Sequence, residues 1–307
     1  MPDIARRTLL KGICTAAALL NMPPGMARTA GSERIVKKIP ATGEELTAVG
    51  MGTSRTFDAG TDSELRAQLQ EVLQTFFDNG GQVIDSSPMY GTAEAVVGDL
   101  LRRVTRKDKL FAATKVWIYG KEAGIKQMQT SMEKMGVSVM DLMQIHNMRD
   151  WKTHIKTLRE WKEKGKIRYF GVTTSHGRDH DELLKIMKHE DPDFVQFSYS
   201  LGNREAEQEI FPVAADKKIA TLINRPFQAG SLFNKVKGHP LPDWAAEIDC
   251  TSWAQVFLKY IISHDHATCV IPATSRVTHM LDNMAAGYGR LPDADMRLRI
   301  EKDFEKM

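Results

Sequence analysis

Four polar side chains close or follow three successive apolar runs in the first half of the chain. Asp85 ends the first run and Tyr90 follows five residues later, Lys115 ends the second run, and His146 ends the third. A tyrosine with its ordinary pKa of about 10 is a poor acid at neutral pH, but a nearby ammonium lowers that pKa by stabilising the phenolate. Lys115 can supply the ammonium, Asp85 its counter-charge, and His146 a hydrogen bond to a substrate oxygen. These residue types predict reduction of a carbonyl, with hydride from a cofactor and a proton from Tyr90.

A regular alternation of strands and helices is needed to bring these residues together. Eight short apolar runs are candidate strands, and the longer segments between them repeat apolar residues at helical intervals, as in Leu65, Leu69 and Val72. Such alternation predicts an α/β fold, a single (β/α)8 TIM barrel, whose chemistry lies at the C-terminal ends of the strands. The candidate strands are 48–51, 82–85, 109–115, 140–146, 166–172, 194–198, 219–223 and 268–271.

Two further elements and one alternative complete the predicted fold. Residues 35–40 and 45–48 flank a turn that contains Gly43, which predicts an N-terminal β-hairpin, and an extra helix is expected at the C-terminus. The alternative is an open, doubly wound sheet with a glycine-rich fingerprint after the first strand, but residues 50–54 (GMGTS) lack the third glycine. No linker divides the chain further, so residues 31–307 are predicted to form one domain.

The first thirty residues have the pattern of a signal or targeting segment. Arg6 and Arg7 precede an apolar run at residues 12–20, and Gly25 and Ala27 are small residues at the positions that a signal peptidase reads. The run is shorter than the roughly 20 residues that span a bilayer. The paired arginines resemble a twin-arginine signal, which predicts a periplasmic or secreted protein with no stable membrane anchor after processing. A cytoplasmic protein with a basic tail is the alternative.

The composition argues against several functional classes. The chain has 307 residues, 42% of them hydrophobic and 26% charged, with a formal net charge of +3. This balance is ordinary for a globular protein, and no nucleic-acid partner is expected because such binding needs a concentrated basic face. The three cysteines, Cys14, Cys250 and Cys269, form no CxxC pair, so no metal is expected. Cys250 and Cys269 are expected to be buried thiols, with a bridge between them as the alternative.

Taken in order, the motifs along the chain resemble those of the aldo-keto reductase superfamily over residues 34–287. The resemblance implies an NADP(H)-dependent oxidoreductase that reduces an aldehyde or a ketone to an alcohol. It also implies that Tyr90 is the general acid, that Lys115 and Asp85 tune it, and that His146 orients the substrate. The matching motifs include 84–91 (IDSSPMYG), 114–117 (TKVW), 144–147 (QIHN), 164–172 (KGKIRYFGV) and 271–276 (IPATSR).

The same resemblance implies where NADP(H) binds, across the barrel mouth. Residues 274–276 are expected to open a helix whose free N–H groups bind phosphate, with Arg276 on the 2′-phosphate; an ordinary helix cap is the alternative. Asn283 is expected at the adenine, Gln196 at the nicotinamide carboxamide, and residues 230–232 at the pyrophosphate. The full set of expected cofactor contacts is Gly52, Thr53, Asp85, Thr173, Gln196, Arg225, Phe227, Gly230, Ser231, Leu232, Thr274, Ser275, Arg276 and Asn283.

Two departures from the family pattern affect the nicotinamide contacts. Many relatives have Ser-Asn after the fifth strand, where this chain has Thr173-Thr174. Thr173 can still bond an amide, but Thr174 cannot reproduce an asparagine. Many relatives also have an aromatic residue at the end of the seventh strand, where this chain has Asn224-Arg225. Arg225 can either stack on the nicotinamide or pair with a phosphate.

The substrate and the rival functions follow from the same residues. Trp117 and His146 are expected to contact a small carbonyl substrate, whose identity the sequence does not reveal because pocket loops vary freely; a monomer is expected. A nucleotide-binding barrel that acts as a regulatory or binding subunit is the rival, although such a module has no need of a complete acid set. A metal-dependent hydrolase is less well supported, because His176 and His180 have no evident third ligand.

Overall fold

Eight parallel strands form the centre of the molecule. The computed structural model describes residues 33–307, so the predicted targeting segment at residues 1–30 lies outside the described residues. The strands are hydrogen-bonded in sequence order, and a bridge between Gly52 and Ala273 joins the first strand to the segment after the eighth. The strands are β1 (Val36–Lys38) and β2 (Glu45–Thr47) of a hairpin, and β3 (Met51–Gly52), β4 (Val83–Asp85), β5 (Phe111–Val116), β6 (Met140–Ile145), β7 (Ile167–Thr173), β8 (Phe194–Ser198), β9 (Ala220–Asn224) and β10 (Cys269–Val270) of the barrel.

This arrangement confirms the predicted (β/α)8 barrel and its N-terminal hairpin. Each of the eight candidate strands overlaps an observed strand, with boundaries that differ by at most three residues. The sequential strand order excludes the doubly wound sheet, in which the strand order reverses at a switch point. Closure needs a glycine at Gly52, because a Cβ there would lie 2.9 Å from the carbonyl oxygen of Ile271.

The barrel interior has an apolar lower layer and a polar upper layer. Because side chains alternate across a strand, every second residue points inward, and the inward positions change from apolar to polar toward the C-terminal ends. Ile39 and Leu46 of the hairpin pack against the lower layer and cover the N-terminal end of the barrel. The lower layer includes Val83, Phe111, Leu142 and Phe194, and further along the same strands stand the buried Asp85, Lys115, Gln144 and Gln196.

Amphipathic helices surround the barrel and bury their apolar faces against it. In the first of them, the Asp62 side chain accepts the N–H groups of Glu64 and Leu65 and so begins the helix, while Leu69 and Val72 are fully buried. The helices are α1 (Ser63–Asp78), α2 (Ala93–Leu101), α3 (Lys121–Met135), α4 (Trp151–Glu163), α5 (His180–His189), α6 (Ile210–Asp216), α7 (Ser231–Lys235), α8 (Trp253–Ile262), α9 (Val277–Ala285) and α10 (Ala294–Glu305).

The C-terminal helix α10 is the extra helix that was expected after the barrel. Its Ile300 and Phe304 are buried in the main apolar cluster, and the indole N–H of Trp244 donates to Asp303 at 3.0 Å. Cys250 and Cys269 are free and buried, so the expectation of two thiols is confirmed and the bridge is excluded. Within residues 33–307, no helix has the length and apolarity needed to cross a membrane.

Candidate active site

An ion pair between Asp85 and Lys115 forms the base of the candidate site. Lys115 Nζ donates to Asp85 Oδ2 at 2.6 Å and to the Ser86 carbonyl at 2.7 Å. Lys115 is fully buried and Asp85 is 2% exposed. Burial acts to lower the pKa of Lys115, but the charge of Asp85 and the contact with Tyr90 outweigh burial and hold that pKa above its ordinary value. Lys115 is therefore a cation inside the barrel.

Two glutamine amides hold the second oxygen of Asp85. Gln144 Nε2 donates to Asp85 Oδ1 at 2.9 Å, and Gln196 Nε2 donates to the same oxygen at 3.0 Å. With both oxygens bonded, the carboxylate is satisfied and fixed in direction. The sequence analysis assigned no role to Gln144, although its inward position two residues before His146 was a signal for the same polar layer.

Tyr90 follows β4 and lies above this ion pair. Lys115 Nζ is 5.3 Å from the centroid of the Tyr90 ring, and the ring meets His146 edge to face, with centroids 5.7 Å apart. Burial raises the pKa of Tyr90, the charge of Lys115 lowers it, and Asp85 raises it, so the net pKa lies above its ordinary value. This corrects the expectation of a lowered pKa, because burial outweighs the ammonium. The hydroxyl keeps its proton at neutral pH, and the charge of Lys115 offsets part of the cost of giving that proton up.

His146 is a neutral imidazole beside Tyr90. Burial, followed by the charges of Lys115 and Arg149, lowers the pKa of His146 to about 3. Its Nδ1 lies 2.9 Å from the Ser87 hydroxyl, which also accepts the Met89 N–H at 3.2 Å. The sequence analysis missed Ser87, even though this hydroxyl lies two residues after Asp85 in the same motif.

A cavity of about 870 Å³ opens above these groups and extends to the helix after the eighth barrel strand. Tyr90 and His146 line one part of it. Trp117, the other expected substrate contact, is outside the lining, but its ring centroid is 6.3 Å from that of His146. The predicted cofactor residues that line the cavity are Gly52, Thr53, Asp85, Thr173, Gln196, Arg225, Phe227, Gly230, Thr274 and Asn283.

The remaining predicted cofactor residues lie outside the cavity lining. Leu232 is 3% exposed and packs in the core, while Ser231 donates its hydroxyl to the Gln228 carbonyl at 3.1 Å. The Ser275 carbonyl accepts a hydrogen bond from the Gln68 side chain, and Arg276 is exposed. The positions of these four residues do not show whether they contact a cofactor, so the four assignments stay predictions.

The expectation that residues 274–276 open a helix is wrong by three residues. Helix α9 begins at Val277, and Arg276 is its N-cap, without a side-chain cap. The hydroxyl of Thr274 accepts the Arg276 N–H at 3.1 Å and closes a turn before the helix. The backbone N–H groups at the start of α9 lack side-chain acceptors, so this end still suits an anion.

The side-chain amide of Asn224 lies beside Thr174, the residue that replaces the asparagine of many relatives. Asn224 Nδ2 donates to the Thr174 carbonyl at 2.9 Å, and Ser198 donates its hydroxyl to Asn224 Oδ1 at 2.6 Å. The Thr173 hydroxyl accepts the Asn147 N–H at 3.0 Å. Asn224 therefore brings to this part of the cavity the side-chain amide that Thr174 lacks.

Three arginines converge on the cavity without acidic partners. Arg55, Arg178 and Arg225 all line it, and their side chains have no ion pair within residues 33–307. Burial, followed by the charges of Arg55 and Arg178, lowers the pKa of Arg225. Because like charges repel unless an anion lies between them, this cluster is a candidate site for phosphate groups. The sequence analysis missed Arg55 and Arg178, which lie in loops without a recognisable motif.

Comparison of the sequence with known proteins identifies one family. The Aldo/keto reductase family model matches residues 48–302. Methylglyoxal reductase YeaE of Escherichia coli (strain K12) is 27% identical over 270 residues, which cover 85% of this chain and 93% of that protein. Aldo-keto reductase YhdN of Bacillus subtilis (strain 168) is 26% identical over 220 residues, which cover 64% of this chain and 63% of that protein.

Solved structures share the fold at lower sequence identity. An aldo-keto reductase of Klebsiella pneumoniae in complex with NADPH superposes with a TM-score of 0.74 and 22% identity, covering 89% of this chain and 95% of that one. The holo form of an aldo-keto reductase of Bacillus halodurans gives a TM-score of 0.71 and 20% identity, covering 88% and 96% of the two chains. At these identities the similarity establishes the barrel.

Proposed function

This chain belongs to the aldo/keto reductase family, and from that premise we propose that it reduces an aldehyde or a ketone to the alcohol, with hydride from NADPH and a proton from Tyr90. The proposal rests on one observation, that a protonated tyrosine and a neutral histidine line the same cavity. Tyr90 is protonated at neutral pH, since burial raises its pKa above an ordinary value that already exceeds neutrality, and His146 is neutral because burial and nearby cations lower its pKa to about 3. An acid and a neutral hydrogen-bonding group therefore face the same space.

The cavity suits a nicotinamide dinucleotide in size and in charge. Its volume of about 870 Å³ is at the upper end of the range for small-molecule sites. The unpaired Arg55, Arg178 and Arg225 would hold the pyrophosphate, and Arg276 at the start of α9 would hold the 2′-phosphate. Asn224 and Gln196 line the same cavity as Tyr90, and each amide oxygen keeps a lone pair that would accept an N–H of the carboxamide. When bound, NADPH supplies the hydride that the side chains of the chain cannot.

The proposed proton donor is the Tyr90 hydroxyl, and the phenolate that it leaves behind is stabilised by a nearby cation. The substrate carbonyl oxygen would lie between the Tyr90 hydroxyl and the imidazole of His146, where both can donate hydrogen bonds to it. As negative charge develops on that oxygen, Tyr90 gives its proton and becomes a phenolate. The ammonium of Lys115, 5.3 Å from the ring centroid, stabilises the phenolate, while Asp85 and its glutamine partners keep that ammonium in place.

Tyr90→Phe tests the proposal with the least disturbance of the site. The variant should bind NADPH as the wild type does, with turnover of aldehydes and ketones reduced by about 10²- to 10⁴-fold, the usual effect of a lost general acid. NADPH binding and NADPH oxidation are measured separately on the purified protein. Wild-type turnover by Tyr90→Phe contradicts the proton-donor assignment. Nucleotide binding without turnover of any carbonyl by the wild type supports the binding-subunit function instead.

We also propose that the chain is exported by the twin-arginine route. The proposal is supported by Arg6 and Arg7, the apolar run at residues 12–20 and the small residues Gly25 and Ala27. Export in the folded state suits an enzyme that must fold around a nucleotide. Replacement of both arginines by lysine should retain the full-length chain in the cytoplasm, measured by cell fractionation and N-terminal sequencing. Unchanged export of that variant, or no processed wild-type chain, contradicts the proposal.

A further inference from the structure

A positively charged side chain lies over two aromatic rings beside the candidate active site. The guanidinium carbon of Arg149 lies 4.3 Å from the ring centroid of Trp117 and 5.1 Å from that of Tyr119. Its side chain makes neither a hydrogen bond nor an ion pair with any of residues 33–307. Stacking covers the faces of a guanidinium and leaves the N–H groups along its edges free. Arg149 is therefore oriented as an anion receptor, with no anion of the described chain bound to it.

The loop that carries the two rings is fixed by hydrogen bonds to both neighbouring helices. The Trp117 N–H donates to Gln127 of α3 at 2.6 Å, and the His154 imidazole of α4 bonds the Ile118 carbonyl at 2.7 Å. These contacts fix the backbone of the loop before any ligand binds. A receptor that is already ordered loses less conformational entropy when it binds its ligand.

The nearest carboxylate is occupied elsewhere and leaves the charge of Arg149 uncompensated. Asp150 follows Arg149 in the chain, but its side chain accepts the Gly120 N–H at 2.8 Å and the Thr153 hydroxyl at 2.8 Å. These bonds hold the pKa of Asp150 below its ordinary value, the Gly120 N–H having the largest effect. The carboxylate thus serves to pin the loop rather than to pair with the arginine.

Trp117 connects Arg149 with His146, which lines the proton-donor end of the cavity. Trp117 contacts Arg149 on one side, and its ring centroid is 6.3 Å from that of His146 on the other. The charge of Arg149 contributes to the lowered pKa of His146. Met89 and Ile118 nearby are large apolar side chains that are 47% and 36% exposed. This side of the mouth therefore combines a free cation with exposed apolar surface.

We propose that Arg149 binds a carboxylate on the substrate, so that the preferred substrates are aldehydes or ketones with an acidic group separated from the carbonyl by an apolar spacer. The inference rests on the proposed reductase function and specifies its substrate class. The other unpaired arginines of the mouth, Arg55, Arg178 and Arg225, line the cavity assigned to the cofactor phosphates. Arg149 is outside that lining and remains available to the substrate.

Matched aldehyde pairs test the inference. Para-carboxybenzaldehyde is compared with its methyl ester, and succinic semialdehyde with its methyl ester, as kcat/KM ratios of acid to ester with NADPH. Arg149→Met keeps an unbranched, flexible side chain that can still pack on Trp117, and removes the charge. We expect the ratio to fall on the order of 10- to 100-fold in this variant for at least one pair, because a charge-assisted hydrogen bond to the acid is lost. The ester of each pair makes no such bond and is the internal reference for any general change in activity. Arg149→Lys should give an intermediate ratio.

Lys152→Met is the matched control, because it removes one exposed positive charge from the same region without touching Trp117. Its acid-to-ester ratio should equal that of the wild type. The inference is overturned if Arg149→Met leaves the ratio of both pairs unchanged, or if Lys152→Met lowers it equally, since the effect would then be general electrostatic attraction. If the wild type reduces no carbonyl at all, the proposed function fails and the inference falls with it. If the wild type reduces the carboxylate-bearing aldehyde and its methyl ester with equal kcat/KM in both pairs, only the inference is overturned.

Discussion

The Oγ of Ser87 lies 2.9 Å from the Nδ1 of His146, and this contact favours one tautomer of the imidazole. The Ser87 oxygen accepts the Met89 N–H at 3.2 Å, and we assign its hydroxyl proton to the bond with Nδ1. A neutral imidazole that accepts at Nδ1 carries its proton on Nε2. The nitrogen left to face the cavity is then a donor, as a carbonyl oxygen requires.

Ser87→Ala should therefore weaken the orientation of His146 without removing any group that touches substrate. We expect kcat to fall on the order of 5- to 10-fold, the effect of one hydrogen bond, with little change in NADPH binding. Ser87→Thr, which restores the hydroxyl, should recover most of the activity. Nitrogen NMR of the labelled imidazole reports the tautomer directly. A purely structural role predicts loss of stability in Ser87→Ala with the tautomer unchanged, and that result contradicts the assignment.

The buried ion pair makes a prediction about stability. Lys115→Met should lower the free energy of unfolding by about 3 to 5 kcal/mol, because it leaves the Asp85 carboxylate buried without its counter-charge. The double variant Asp85→Asn with Lys115→Met should be more stable than Lys115→Met alone. Urea denaturation measures both. Equal stability of the single and double variants contradicts coupling of the two charges, and all of these variants should lack turnover.

The pH dependence of activity follows from two pKa shifts. His146 is neutral above pH 3, because burial and nearby cations lower its pKa to about 3, so kcat for carbonyl reduction should show no histidine titration between about pH 5 and 8. Tyr90 must be protonated to donate, and burial raises its pKa, so activity should persist beyond the pH at which an ordinary tyrosine ionises. A kcat profile that falls below about pH 7 contradicts the neutral imidazole.

The same histidine should make the folded chain sensitive to acid. Its pKa is about 3 in the folded state and 6.5 as a model value, so between these values the unfolded chain binds the additional proton. The stability that His146 contributes is complete above pH 6.5 and is lost as the pH falls toward 3. His146→Gln cannot titrate, so its free energy of unfolding relative to the wild type should rise between pH 7 and pH 4.5. A difference that is independent of pH contradicts the assignment.

Variants of two arginines should show which phosphate group of the cofactor each arginine binds. Arg276→Ala should weaken NADPH binding by about 10-fold and leave NADH binding unchanged, because only NADPH carries the 2′-phosphate. Arg225→Met should weaken both nucleotides to a similar degree, because both carry the pyrophosphate. Fluorescence titration of each nucleotide measures these affinities. Equal losses for NADPH and NADH in Arg276→Ala remove the 2′-phosphate role.

The barrel and its acid residues were predictable because they follow from local regularities. Inward and outward positions alternate along each strand, and a polar residue that closes an apolar run stands at the C-terminal end of the barrel. This places Asp85, Lys115 and His146 together without knowledge of any distance. The start of α9 was predicted less well, because the Thr274 turn competes with the helix for the same backbone groups.

Other features of the site depend on distances that the sequence does not encode. The pKa of Tyr90 is raised because burial outweighs the charge of Lys115. Both effects depend on the three-dimensional arrangement of the residues around the hydroxyl. The cluster of Arg55, Arg178 and Arg225 comes from three loops far apart in sequence. Asn224 could be read from the sequence only as a departure from the family pattern, whereas the structure shows its amide beside Thr174.

The hairpin and the apolar layer beneath the ion pair also limit the direction from which water can reprotonate Tyr90. Ile39 and Leu46 seal the lower end of the barrel with apolar side chains, and Lys115 above them is fully buried. Bulk water therefore reaches Tyr90 from the mouth, the side on which the cavity opens. If Tyr90 donates the proton as proposed, water from that side would have to reprotonate the phenolate, and a bound cofactor and substrate would stand in its path. Reprotonation of Tyr90 would then follow departure of the product.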